Sequence, residues 1–306
     1  MPDITTNICG IKLINPTILA SGIVGVSGSA LVFAAKNGAG AVVSKSIGPR
    51  EREGHSNPIL VEFEGGFLNA VGLPNSGVEG TIDEIKFAIR NSPSPVIASI
   101  FGGTKEEFGY VAQNISEAKP PLIEVNLSCP NTTSDFGLPF ALFAKDSADV
   151  IEIVKNNTRI PVIAKLAPNV PDIKEIAIAV EEAGADAISA INTIPGMVID
   201  IETAKPVLHN KEGGISGPSI KPAAVKCVYD IYESVDVPII GIGGVTYGKD
   251  AIELMMAGAS AVQIGTAIYY RGIEVFKKVS QEISEFLSGH GYRKLDDIIG
   301  IAHGKT

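Results

Sequence analysis

The densest chemistry in the chain lies in Ile123 to Asn131, which reads IEVNLSCPN. A short apolar run stops there in Asn126, Ser128, Cys129 and Asn131, with Pro130 barring a helix. A carboxamide both donates and accepts, so two of them can read the imide edges of a small polar ring. A cysteine beside them can move a proton or act as a nucleophile. The same stretch is equally compatible with an Asn-rich turn and a structural thiol. Lys45 and Lys165 each close an apolar run, where a solvated face does not account for them. A lysine in such a place needs an anionic partner or a chemical task. For Lys165 the task is either a Schiff base or a fixed charge beside a developing anion. Gly243-Gly244 and Gly265-Thr266 suit a phosphate grip, because glycine lets backbone N–H groups approach an anion; the alternative is ordinary tight turns.

These residues need elements to bring them together. Apolar β-rich runs recur at Thr17–Ala20, Ala41–Ser44, Val96–Ile100, Leu122–Val125, Val162–Lys165, Ala187–Ile191, Ile239–Ile242 and Ala261–Ile264. Helical patterns such as Ile173–Ala183 and Ala251–Ala257 lie between them, the latter stopped by Gly258. Fully apolar strands imply burial of both faces, and eight strand–helix units predict one (β/α)8 TIM barrel domain over residues 1–306. A doubly wound open sheet is the competing architecture, but no GxGxxG follows the first strand.

Barrel chemistry sits at the C-terminal strand ends. The polar groups fall there repeatedly: Ala20-Ser21-Gly22, Ser44-Lys45-Ser46, Asn126 to Cys129, Lys165, Asn192-Thr193, Gly243-Gly244 and Gly265-Thr266. Three segments interrupt the repeat. Residues 4–14 read as a β-hairpin turning at Cys9-Gly10 and capping the barrel bottom. Residues 47–75, ending in NAVGLPN, and residues 195–219, ending in GGISGPS, form long insertions at the catalytic face. The second is expected to close over the ligand.

Composition narrows the function. With 306 residues, 45% hydrophobic and 19% charged, the chain can bury a sizeable core. A net charge of −9 argues against a nucleic-acid partner. Cys9, Cys129 and Cys227 lie too far apart for this chain alone to build a metal site or iron–sulfur cluster, and their odd number suits a reducing cytoplasm. MPDITTNICG carries no secretion signal and no run reaches membrane-spanning length, so a soluble cytoplasmic protein is expected.

NLSCPN, with NAVGLPN upstream and SKS before that, strongly resembles the class 1 dihydroorotate dehydrogenases, and the likeness covers nearly the whole chain. Those are FMN enzymes that oxidise dihydroorotate to orotate in pyrimidine (UMP) synthesis. The resemblance implies that Cys129 is the base taking the C5 proton while hydride leaves C6 for the flavin. It places Lys45, Asn69, Ala70, Val71, Gly72, Leu73, Asn126, Asn131, Asn192 and Thr193 around the substrate. It places Ala20, Ser21, Lys45, Ser46, Ser99, Asn126, Lys165 and Ile191 around the flavin, with Gly217, Gly243, Gly244, Gly265 and Thr266 at its phosphate. Ser99 stands where the family often has Asn. NAVG and the short NLSCPNTTSDFG loop are similar to the NAD-linked class 1B catalytic subunit, which works with a partner carrying FAD and [2Fe-2S], a homodimer core within a heterotetramer. Pro74 is commoner in the homodimeric fumarate-using subgroup, class 1A. A non-redox barrel lyase using Lys165 as a Schiff base is the reading from a different class.

Overall fold

The computed structural model describes residues 1–127 and 140–304. Eight parallel strands close into a barrel in chain order: β1 (Thr17–Leu19), β2 (Ala41–Val43), β3 (Val96–Ile100), β4 (Leu122–Asn126), β5 (Val162–Leu166), β6 (Ala187–Ala190), β7 (Ile239–Ile242) and β8 (Ala259–Ile264). Around them lie α1 (Gly28–Lys36), α2 (Gly77–Asn91), α3 (Lys105–Ile115), α4 (Ala144–Asn157), α5 (Ile173–Glu182), α6 (Lys221–Tyr232), α7 (Gly248–Met256) and α8 (Val275–His290). The expected (β/α)8 TIM barrel is therefore the fold. The helices follow from amphipathic spacing and caps. In α8, Val275, Phe276, Val279, Ile283 and Leu287 face the core, and Gly291 ends the helix at φ 78°. Ser27, Thr104 and Asp172 cap α1, α3 and α5 with their side chains. Among the described residues no helix is long and apolar enough to cross a membrane.

Side chains alternate across a strand, so the barrel interior is built in layers. The lower layer is apolar, with Ile18, Val43, Ile97, Leu122, Ile163, Ala187, Ile240 and Ala261 packed together. The hairpin of Thr6–Ile8 and Ile11–Leu13 turns at Cys9 (φ 52°) and Gly10 (φ 82°) and drives Ile8 and Leu13 into this layer as a plug. Two residues further along the strands stand Ser99, Glu124, Lys165, Ser189 and Gln263, all buried. The expectation of fully apolar strands is thus corrected: five strands turn a polar group inward at the level below the mouth. Such groups are sustainable because Lys165, Ser189 and Gln263 meet around Glu124 and Ser99 pairs with Ser46, as described below.

The long insertions are more regular than their Gly- and Pro-rich sequences indicate. Leu60–Phe63 and Gly66–Asn69 from the first join Gly213–Ser216 and Ile194–Gly196 from the second in one four-stranded antiparallel sheet over the mouth. Leu68, Ala70 and Leu208 form its small core.

Candidate active site

A cavity of about 530 Å³ opens at the C-terminal strand ends, within the usual range for a cofactor or substrate site. Ala20, Ser21, Lys45 and Ser46 reach it from the ends of β1 and β2. Asn69, Val71, Gly72 and Leu73 enter from the first insertion, and Asn126, Lys165, Ile191, Asn192 and Thr193 from β4 to β6. Gly217, Gly243, Gly244, Gly265 and Thr266 complete the wall. Two expected residues do not line it. Ala70 alternates away from the cavity between Asn69 and Val71, into the core of the covering sheet. Ser99 lies one layer behind, its Oγ 3.0 Å from the Ser46 Oγ. The expected positions of Cys129 and Asn131 lie outside the described residues.

Serines organise one side. Ser21 Oγ donates to the Ser44 carbonyl at 2.8 Å and lies 3.3 Å from the Ser46 Oγ. Asn126 Nδ2 in turn donates to Ser46 Oγ at 3.3 Å, which fixes the carboxamide at the end of β4. Asn126 and Lys165 are register partners across β4 and β5.

Beneath them lies a group that the sequence reading missed. Glu124 is fully buried, and its Oε2 accepts hydrogen bonds from Ser189 Oγ at 3.1 Å and from Gln263 Nε2. Its Oε1 lies 3.7 Å from Lys165 Nζ, an ionic contact too long for a hydrogen bond. Gln263 Oε1 is buried with no hydrogen-bond partner among the described residues, and Gln263 lines the cavity. An unmatched buried acceptor costs about 1–3 kcal/mol, so a donor on a bound ligand fits this spot. The signal was present as a period-two alternation, Leu122/Glu124/Asn126 and Ala261/Gln263/Gly265, once the inward face of each strand is known.

The segment from Asn69 to Asn75 is held from behind. Gly72 (φ 79°) and Leu73 (φ 55°) both adopt the left-handed region. Arg52 Nε donates to the Gly72 carbonyl at 2.6 Å, and Asn75 Nδ2 to the Leu73 carbonyl at 2.9 Å. His55 Nδ1 lies 3.1 Å from the Ala70 carbonyl. His55 therefore supports this loop.

The glycine end is shaped by the first turn of α6. A Cβ on Gly243 would lie 2.7 Å from Ala224 Cβ, and one on Gly244 would lie 2.5 Å from Lys221 Cβ. Only glycine lets this turn sit so closely on the helix, with φ of 130° and 73°. Asp250, at the start of α7, accepts from the backbone N–H groups of Thr246 and Tyr247 at 3.0 and 2.8 Å. Lys221 pairs with Asp250 and Glu253, and Arg271 donates to the Thr246 carbonyl at 3.0 Å. With those cations already paired, an anion here would rest on backbone N–H groups and on the helix N-terminus.

A barrel mouth with a glycine-walled end, a buried lysine and carboxamides is the kind of site that enzymes of the (β/α)8 class build at their C-terminal strand ends. The dihydroorotate dehydrogenase family model matches residues 3–287, and the chain belongs to that family. It is 52% identical over 301 residues to a protein of Methanocaldococcus jannaschii, covering 97% of each chain. It is 49% identical over 298 residues to one of Methanosarcina acetivorans, covering 97% of this chain and 95% of the relative. A Pyrococcus abyssi protein is 48% identical over 296 residues, covering 97% and 98%. All three relatives are described as dihydroorotate dehydrogenase B (NAD(+)), catalytic subunit.

Proposed function

We propose that this chain is the catalytic subunit of an NAD-linked dihydroorotate dehydrogenase, which oxidises (S)-dihydroorotate to orotate for UMP synthesis with FMN held in the barrel mouth. The observation that carries this reading is that Asn69, Asn126, Asn192, Lys45 and Lys165 share one cavity with the glycine turns of β7 and β8. The residues present fit FMN: the unmatched carbonyl of Gln263 offers an acceptor to a ring or ribityl donor, and the glycine turns offer backbone donors to a phosphate. When bound, the flavin supplies the two-electron acceptor for the hydride that leaves C6 of the substrate.

The remaining work belongs to the chain's own residues. Gly217, Gly243, Gly244, Gly265 and Thr266 hold the phosphate, while Ser21, Ser46 and Asn126 orient the ring system. Lys165, paired with buried Glu124, is a fixed positive charge for the electron density that reduction adds. Lys45 pairs with the substrate carboxylate, and the carboxamides of Asn69, Asn126, Asn131 and Asn192, with Thr193, match the imide groups. An analogue lacking those groups would leave buried polar atoms unpaired, which sets selectivity. Cys129 takes the C5 proton as the C5–C6 double bond forms. Residues 1–306 act as one domain in the cytoplasm.

The relatives' shared name, a catalytic subunit linked to NAD(+), supports a separate electron-transfer partner. We assign FAD and [2Fe-2S] to that partner, with two copies of this chain at the core of a heterotetramer. The three dispersed cysteines of this chain agree with a cluster held elsewhere.

The test is anaerobic mixing of the FMN-loaded chain with dihydroorotate while flavin absorbance is followed. Bleaching is expected, with reoxidation by NAD requiring the partner; reoxidation by fumarate alone would reassign the chain to the fumarate-using subgroup. Failure to hold FMN even after reconstitution, with borohydride trapping of a substrate on Lys165, would replace the reading by the lyase.

A further inference from the structure

Lys165 and Glu124 form a buried ion pair with an unusual division of contacts. Only 6% of Lys165 and none of Glu124 is exposed. A buried carboxylate is sustained only when its oxygens are hydrogen-bonded and its charge is matched. Here those duties are split between its two oxygens. Oε2 is anchored by neutral donors, Ser189 Oγ from β6 and Gln263 Nε2 from β8. Oε1 faces the ammonium at 3.7 Å and accepts no hydrogen bond among the described residues. The carboxylate is thus tethered from the far side, near enough to balance the lysine's charge and too far to take its protons. Lys165 gives up none of its three N–H donors to its counter-ion and keeps them for the cavity that it lines.

We propose that Glu124 is a positioning residue that sets how strongly Lys165 acts on the bound flavin, with Ser189 and Gln263 fixing the separation. The inference rests on the functional reading above. While Lys165 stays an ammonium, the sign of the effect follows from charge. A positive charge beside the ring favours the electron-rich reduced state, and Glu124 offsets part of that charge. Neutralising Glu124 leaves the ammonium unopposed and raises the flavin reduction potential. Removing a tether has the opposite effect, because a carboxylate that loses a neutral donor turns more of its charge on Lys165.

The experiment is anaerobic dye-equilibrium titration of the FMN-loaded full chain, comparing wild type, Glu124→Gln and Ser189→Ala. Glu124→Gln is expected to shift the flavin redox equilibrium at least tenfold toward reduction, about 30 mV for a two-electron couple. Ser189→Ala is expected to shift it toward oxidation. Opposite signs are the signature, since mere loosening of the barrel would move both variants alike. Shifts of the same sign, or no shift in variants that retain flavin, overturn the proposal. If Glu124→Gln does not fold, Ser189→Ala is compared with Ser189→Thr, which keeps the hydroxyl donor to Glu124: a shift toward oxidation in the alanine variant that the threonine variant does not share upholds the proposal, and equal behaviour of the two overturns it. A wild-type chain that holds no flavin overturns the functional reading and this proposal together, whereas a loaded wild type with unmoved variants overturns only the proposal.

Discussion

Asn69 Nδ2 donates to the carbonyl of Gly214 at 3.0 Å, joining insertions 145 residues apart in the chain. The two residues are also register partners in the sheet over the mouth. On its other side Gly214 abuts Thr193, so that a Cβ there would fall 2.0 Å from Thr193 Oγ1. One glycine thus spaces two residues assigned to the substrate.

Gly214→Ala should therefore impair substrate handling while sparing the flavin. The methyl group must displace Thr193 or the Asn69 strand, and a misplacement of about 1 Å can cost about 100-fold in rate. We expect kcat/KM for dihydroorotate to fall by that order, with FMN content unchanged. Normal kinetics in a folded variant would show that the Asn69–Gly214–Thr193 contact does not set the site.

Turnover should follow a single ionisation if Cys129 is the base. An ordinary thiol ionises near about 8.5, and only the thiolate accepts the proton. The rate should climb about tenfold per pH unit below that value and level off above it. Cys129→Ala should lose about 10²- to 10⁴-fold in the rate of flavin bleaching. A pH-independent rate, or near-normal bleaching in the variant, would discard the assignment.

The other two cysteines should make the fold sensitive to alkali. Burial pushes the Cys9 thiol up to about 12, helped by Asp186, and the Cys227 thiol up to about 11, helped by Asp230. In the unfolded chain both ionise near about 8.5. Above that pH the unfolded chain binds fewer protons than the folded one, so stability falls as pH rises toward the folded values. Urea midpoints should decline from about pH 8.5 upward, and a Cys9→Ala/Cys227→Ala variant should show a shallower decline. Equal slopes would contradict this account.

The hairpin plug should matter for stability alone. Leu13 is fully buried against the lower barrel layer, remote from the mouth. Leu13→Ala should cost about 2–5 kcal/mol by denaturant titration. Flavin content and bleaching rate should hold at temperatures where the variant is folded. Loss of flavin from a folded variant would show that the plug shapes the site.

Much of the fold was legible because barrel strands advertise themselves as apolar runs between helical periods, and because polar residues collect at strand ends whatever the loops do. Lys45, Asn126, Lys165 and the glycines at 243–244 were found by that reasoning, and the structure brings them to one cavity. The covering sheet was not legible. Strands such as Gly66–Asn69 and Gly213–Ser216 are short and glycine-rich, and they pair only across long sequence separations. Local propensity carries no record of such a partner. Ala70 and Ser99 stand one position or one layer away from the cavity lining, since a motif names a neighbourhood and the pleat decides which side chain faces in.

By itself, then, the sequence determined the barrel, its catalytic end and the residue types gathered there, because hydrophobic periodicity and strand-end polarity are local properties of the chain. Tertiary structure alone decided that Glu124, held by Ser189 and Gln263, meets Lys165 inside the barrel. They come from strands β4, β6 and β8, and only barrel closure and register set the distance at which a buried charge finds its counter-ion.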